Sequence, residues 1–192
     1  DVIVNVRKFV DTEFLKWKLG AIIHSEPAIV HYSNTESVIF VGANDGMLHC
    51  FDDTDGKELW GFIPPGQRTK IETVFTDAGK DYYVDGSPAI VYGDLMEGTH
   101  HFQPKYMIFG ERRGGTSYYV LDITDRFRPI WKYQITPDIL PGAPLGQSWA
   151  KAKICNLATK RIEYSPGKYT VDESSIEEVF MLAGGYDTNQ DL

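Results

Sequence analysis

Residues 38–64 read VIFVGANDGMLHCFDDTDGKELWGFIP. Three short apolar runs are separated by two polar, glycine-bearing segments. The runs Val38–Val41, Met47–Phe51 and Glu58–Ile63 have strand length and are rich in β-branched and aromatic residues. Asn44-Asp45-Gly46 supplies residues that tolerate positive φ, as a tight hairpin requires. In Asp52-Asp53-Thr54-Asp55-Gly56-Lys57, the Asp and Thr side chains can accept local backbone hydrogen bonds. With Ser25-Glu26-Pro27-Ala28-Ile29-Val30 upstream, the stretch predicts a four-stranded antiparallel meander.

The pattern occurs again. Ser25–Val30 matches Ser87-Pro88-Ala89-Ile90-Val91, and Phe40-Val41-Gly42 matches Ile108-Phe109-Gly110. Leu48–Asp52 matches Tyr118–Asp122, and Leu59-Trp60 matches Ile130-Trp131. A third copy starts at Gly146-Gln147-Ser148-Trp149 and resumes at Val179–Gly185. Repeated units of four short strands with a recurring Gly and a closing Trp predict an all-β protein, a β-propeller with quinoprotein-like blades. Each sheet has two apolar faces and needs neighbours to cover them, with the tryptophans between blades. The expected organisation is a lead-in at 1–20, blade one at 21–64, a connection at 65–83 and blade two at 84–135. A partial blade three follows at 136–192, interrupted by an insertion at 156–178. Because a closed ring takes about four to eight blades, the chain is read as a piece of a longer protein, with completion of the ring by other chains as the alternative. Helix is expected only as a turn or two within Asp11–Lys18 and a short turn at Glu173–Glu178.

Composition bounds the function. The chain has 192 residues, 42% hydrophobic, 24% charged and 13% aromatic, which suits a globular β protein. Its net charge of −8 argues against a nucleic-acid surface. No apolar run approaches the roughly 18 residues of a membrane span. The start DVIVNVRKF lacks the signal-peptide pattern, so any targeting signal has been removed or lies outside this chain. Cys50 and Cys155 sit in apolar runs and are read as two buried thiols, with a disulfide as the alternative.

Asp187-Thr188-Asn189-Gln190-Asp191 has the D-x-N-x-D spacing of the first half of a calcium loop. Asp187, Asn189 and Asp191 are therefore candidate calcium ligands, and a polar hairpin turn is the alternative reading. The carboxylates at Asp52, Asp53, Asp55 and Glu58, and the matching Asp122 and Asp125, read as turn architecture. Among His24, His31, His49, His100 and His101 no pair has zinc-protease spacing. His49 is expected to satisfy a local hydrogen bond in its strand, and the loop pair His100-His101 is a weak transition-metal candidate. No G-x-S-x-G, phosphate loop or G-x-G-x-x-G occurs, and no catalytic residue is assigned.

The ordered series GANDGMLHCFDDTDGKELWGFIPP, YYVDGSPAIVYGD, LDITD, LGQSWAKAKI and AGGYDTNQD resembles the propeller domain of the PilY1 family of type IV pilus proteins, also called PilC. The resemblance runs from about Ala21 onward. It implies a modified β-propeller exported to the periplasm, outer membrane or cell surface. It also implies roles in pilus assembly, opposition to retraction, adhesion and twitching motility. Type IV pilins or minor pilins and other pilus machinery would be partners, with adhesion through parts outside this chain, and calcium would bind an Asp-rich loop. Two departures stand out: Arg112 and Arg113 replace small residues in Glu111–Gly115, and Cys50 replaces an expected alanine. The arginines are read as solvated. A quinoprotein dehydrogenase using pyrroloquinoline quinone, whose blades also read like DGxLHAFDxxTGKELW, is one alternative. A periplasmic scaffold for outer-membrane assembly is the other.

Overall fold

The computed structural model describes residues 19–70, 81–139, 145–158, 161–165, 168–171 and 176–185. The first sheet is formed by β1 (Ala28–His31), β2 (Ser37–Gly42), β3 (Leu48–Asp52) and β4 (Glu58–Phe62), paired antiparallel in chain order. The second repeats this with β5 (Ala89–Leu95), β6 (Phe102–Gly110), β7 (Tyr118–Asp122) and β8 (Ile130–Ile135). The two turns of the opening stretch bring Gly46 and Gly56 to φ of 90° and 70°, as the hairpin reading requires.

A third unit starts with β9 (Lys153–Ala158), which pairs antiparallel with β12 (Ile176–Met181). Between them β10 (Arg161–Ser165) and β11 (Lys168–Val171) make a hairpin of their own. Two expectations are corrected here. Asn156–Ala158 and Ile176–Glu178 are strand, so the interruption of the repeat is shorter than 156–178. Of the helical turn expected at Glu173–Glu178, Ile176–Glu178 is strand in β12, and 173–175 fall outside the described residues. A run that short has too few internal hydrogen bonds to hold a helix, whereas β9 offers a ladder along its whole length. The helical turn expected within Asp11–Lys18 falls outside the described residues.

Burial explains why the central strands read as continuous apolar runs rather than alternating ones. Strand side chains point alternately to the two faces, so a sheet covered on both faces needs apolar residues at every position. In the second sheet Met107, Phe109, Tyr119 and Leu121 face the first sheet. There they pack with Val30, Phe40, Leu48, Trp60 and Phe62. Ile108, Tyr118, Val120 and Ile135 face the other way and meet Ala152, Ile154, Phe180 and Leu182 of the third unit. Cys155 points away from that gap and is half-buried. The expectation of two buried thiols therefore holds for Cys50 alone, and both cysteines are free.

The tryptophans fill the first inter-sheet gap from opposite sides. Trp60 pairs with Cys50, and its indole nitrogen donates to the Arg126 carbonyl of the second sheet at 2.8 Å. Trp131 pairs with Leu121 and stacks on Phe62 of the first sheet, with ring centres 5.8 Å apart. Their registers differ. Val120, the counterpart of Cys50, pairs with Tyr133, so Tyr133 holds the position of Trp60. The sequence match of Trp60 with Trp131 is thus not a structural equivalence, because each β-bulge falls at a different place relative to its tryptophan.

The recurring glycines mark close approaches. A Cβ on Gly42 would lie 2.5 Å from the Val84 carbonyl oxygen, and one on Gly110 would lie 2.7 Å from that of Ser148. Both neighbours are the backbone leading into the next unit, so a side chain at either glycine would push adjacent sheets apart.

Candidate functional site at the blade junctions

Antiparallel order brings the start of the first strand, the turn between the second and third, and the end of the fourth to the same end of each sheet. The polar residues that the core does not absorb collect there. Serines repeat a joint between successive units. Ser25 Oγ accepts from the Gly42 N–H at 2.9 Å and donates to the Gly86 carbonyl at 3.0 Å. Ser148 Oγ accepts from the Glu111 N–H at 2.8 Å and donates to the Gly115 carbonyl at 3.2 Å. Each serine satisfies a backbone N–H left over where a ladder ends.

In the first sheet this end holds a buried ion cluster. His49 Nδ1 lies 2.7 Å from Glu58 Oε1, and its Nε2 lies 3.1 Å from both Asp45 oxygens. Both ring nitrogens face acceptors, so the doubly protonated imidazolium satisfies both. Burial opposes that charge, but the hydrogen bonds and charges of Asp45 and Glu58 outweigh it and raise the His49 pKa to about 9. Burial likewise disfavours the Asp45 carboxylate. The bonds from His49 and from the Gly20 and Met47 N–H groups overcome it and hold the Asp45 pKa below its ordinary value. The local hydrogen bond expected of His49 is therefore part of a triad that fixes the Asn44–Gly46 turn against β4.

At the junction of the first two sheets, a 3-10 turn at Pro65–Gln67 carries a fully buried Gln67. Gln67 Nε2 donates to Glu111 Oε1 at 2.5 Å and to the Gly114 carbonyl at 3.0 Å. The Tyr119 hydroxyl donates to the same Glu111 oxygen at 3.0 Å. Burial pushes the Glu111 carboxyl above its usual range, against the opposing bonds from Gln67, Tyr119 and the Ser117 N–H.

Beside it, Asp85 is 3% exposed and accepts from the His24 N–H at 2.9 Å, with His24 Nδ1 at 2.7 Å. The Arg112 guanidinium carbon stands 4.7 Å from the Trp149 ring centre, and that of Arg113 lies 5.3 Å from both Trp149 and Tyr82. The two arginines are thus stacked rather than simply solvated.

The acidic turns are architectural, as read from the sequence. Asp52 and Asp122 each accept from the N–H of the threonine two residues on, at 2.8 and 3.0 Å. Asp55 and Asp125 each accept from the N–H two residues on, at 3.0 and 2.9 Å. His100 and His101 line a shallow cavity of about 170 Å³ with His31, and the His31 and His101 rings stack at 4.4 Å. Among the described residues no group of three His, Cys, Asp or Glu side chains is arranged to hold a metal ion. Asp187, Asn189 and Asp191 lie outside the described residues. Asp85, Glu111 and Gln67 were missed by sequence reasoning. The available signal was a carboxylate ending an apolar run, in Tyr83-Val84-Asp85 and Ile108-Phe109-Gly110-Glu111.

Four-stranded meanders that cover one another's faces and are joined by glycine and serine contacts define a β-propeller. The PilY1 beta-propeller domain family matches residues 23–171. The type IV pilus biogenesis factor PilY1 of Pseudomonas aeruginosa strain PAO1 is 36% identical over 123 residues, covering 62% of this chain and 10% of that protein. A PilY1 homolog of Xylella fastidiosa is 36% identical over 102 residues, covering 52% of this chain and 8% of that protein. The crystal structure of the P. aeruginosa PilY1 C-terminal domain is 33% identical, with a TM-score of 0.44, covering 72% of this chain and 24% of that one. The chain therefore belongs to the PilY1 beta-propeller domain family, and it spans about a tenth of the length of the curated relatives it matches. Among the described residues no helix is long and apolar enough to cross a membrane.

The His49 triad predicts a pH signature. The folded His49 pKa is raised above the unfolded value of 6.5. Its stabilising contribution is therefore full below about pH 6.5 and is lost as pH climbs through about 9. Urea unfolding between pH 6 and pH 10 is expected to show a loss on the order of 2–4 kcal/mol across this window. His49→Gln is expected to flatten that loss, and an equal slope in both proteins would rule the triad out as its source.

Proposed function

We propose that this propeller serves type IV pilus biogenesis as a non-enzymatic interaction scaffold at the cell envelope. It engages pilins, minor pilins or other pilus machinery, supports assembly and twitching motility, and opposes retraction. The observation that carries this reading is the family match over residues 23–171, which spans both complete sheets and part of the third unit. The links between successive sheets leave and enter at one end of the sheets, an arrangement suited to presenting a binding surface. The test is deletion of the region encoding residues 23–171 in the bacterium of origin, with the rest of the protein still produced. Electron microscopy is expected to show cells nearly bare of pili, and surface spreading is expected to stop. Pili, but not spreading, are expected to return when the retraction motor is disabled. Normal pilus numbers in the deletion strain would refute the reading.

We further propose that Asp187, Asn189 and Asp191 hold a calcium ion. Three side-chain oxygens at alternate positions form a hard donor set, the kind calcium prefers. Calorimetric titration of the protein with calcium is expected to give a saturable heat that Asp187→Ala abolishes. Equal heats from the two would remove Asp187 from the site.

A further inference from the structure

Near the Asp85 junction, five side chains form a continuous stack drawn from four separate stretches of sequence. His24 lies against Tyr82 with ring centres 6.5 Å apart, Arg113 lies over both Tyr82 and Trp149, and Arg112 lies over Trp149. Trp149 is fixed by its own hydrogen bond from Nε1 to Gln147 Oε1 at 2.9 Å. Two guanidinium groups therefore share one indole.

Their charge is under-compensated. The Arg112 Nε approaches Asp85 at 3.7 Å, beyond hydrogen-bond length, and this nitrogen is buried without a hydrogen-bond partner. Asp85 also serves His24. Among the described residues Arg113 has no carboxylate within ion-pair distance, and its bond to the Tyr82 hydroxyl is long, at 3.5 Å. The contact with the rings does not use up the guanidinium N–H groups; the buried Arg112 Nε apart, these are the groups that pair with carboxylates in a bidentate manner. Arg112 also holds a φ of +52°, a left-handed conformation that is strained for a non-glycine residue. The Arg112–Ser148 backbone bridge holds it there, with the Arg112 N–H donating to the Ser148 carbonyl at 3.2 Å.

From this we infer that the His24–Tyr82–Arg113–Trp149–Arg112 stack is a docking site for an acidic segment of a protein partner, whose carboxylates the two arginines receive. The chain carries a net charge of −8, so an acidic partner is repelled by the protein as a whole and is admitted where cations are concentrated. Arg, Trp and Tyr are also the side chains that most often dominate binding energy at protein interfaces. Two arginines without a basic stripe do not suit a nucleic-acid backbone. The inference gives a site to the scaffold reading, and its test is separate, because it measures peptide binding rather than pili.

The probe is a fluorescently labelled hexaglutamate peptide, titrated against the 192-residue chain and followed by anisotropy. The parent protein is expected to bind it with a strong dependence on salt. Arg113→Gln is expected to weaken binding by about tenfold, and the Arg112→Gln, Arg113→Gln pair by more. Because Arg113 is exposed, its substitution leaves the fold intact, which circular dichroism verifies. The control pair Lys57→Gln, Lys132→Gln removes the same charge elsewhere and is expected to leave binding unchanged. Hexaglutamine is expected not to bind. The inference is overturned by no binding to the parent, by equal weakening in the lysine control, or by inorganic phosphate displacing the peptide at matched ionic strength.

Discussion

A four-stranded sheet with two apolar faces has no stable existence by itself, and every other feature of this chain answers that constraint. The face carrying Val30, Phe40, Trp60 and Phe62 is covered by the face carrying Met107, Phe109, Tyr119 and Leu121. Burying an aromatic side chain of this size is worth about 2–3 kcal/mol, and the gap between these sheets gathers Phe40, Trp60, Phe62, Phe109 and Tyr119, with Tyr32 and Trp131 packed against them. Stability is therefore shared across sheets, as in other repeat architectures. The glycines and serines follow from it: faces this close leave no room for a Cβ on Gly42 or Gly110.

Packing faces together leaves the ends of the strands to deal with their own polar groups, and this is where the chain becomes individual. Charge is buried at one end in three arrangements: Asp45–His49–Glu58, Gln67–Glu111–Tyr119, and Asp85 with His24 and Arg112. Removing one member of such a group leaves a buried charge or donor unpaired, which costs more than the intact interaction contributes. The opposite end carries aspartate turns that recur between the two sheets.

Much of this was legible in the sequence because it depends on local chemistry. The strands around Asn44-Asp45-Gly46 and Asp52–Lys57 were readable from turn residues, and the repeat from the Pro27/Pro88 and Gly42/Gly110 pairs. What could not be read depends on register. Trp60 and Trp131 look equivalent, yet Trp60 follows its bulge and Trp131 precedes the matching one, so Tyr133 takes the place of Trp60. Ile176–Glu178 resembles a helical turn, and a distant partner, β9, makes it strand. The stack of His24, Tyr82, Arg112, Arg113 and Trp149 has no sequence spacing at all, because the fold alone brings its parts together. The Asp187–Asp191 spacing was legible only as a donor set.

Native-state hydrogen exchange on Trp60→Ala tests the shared burial most directly. If the sheets hold each other, amides of β6 and β7 lose protection to the same extent as those of β2 and β3, although no residue of the second sheet has been changed. If protection falls in the first sheet and persists in the second, each sheet is stable by itself, and mutual covering of faces is not what holds this fold.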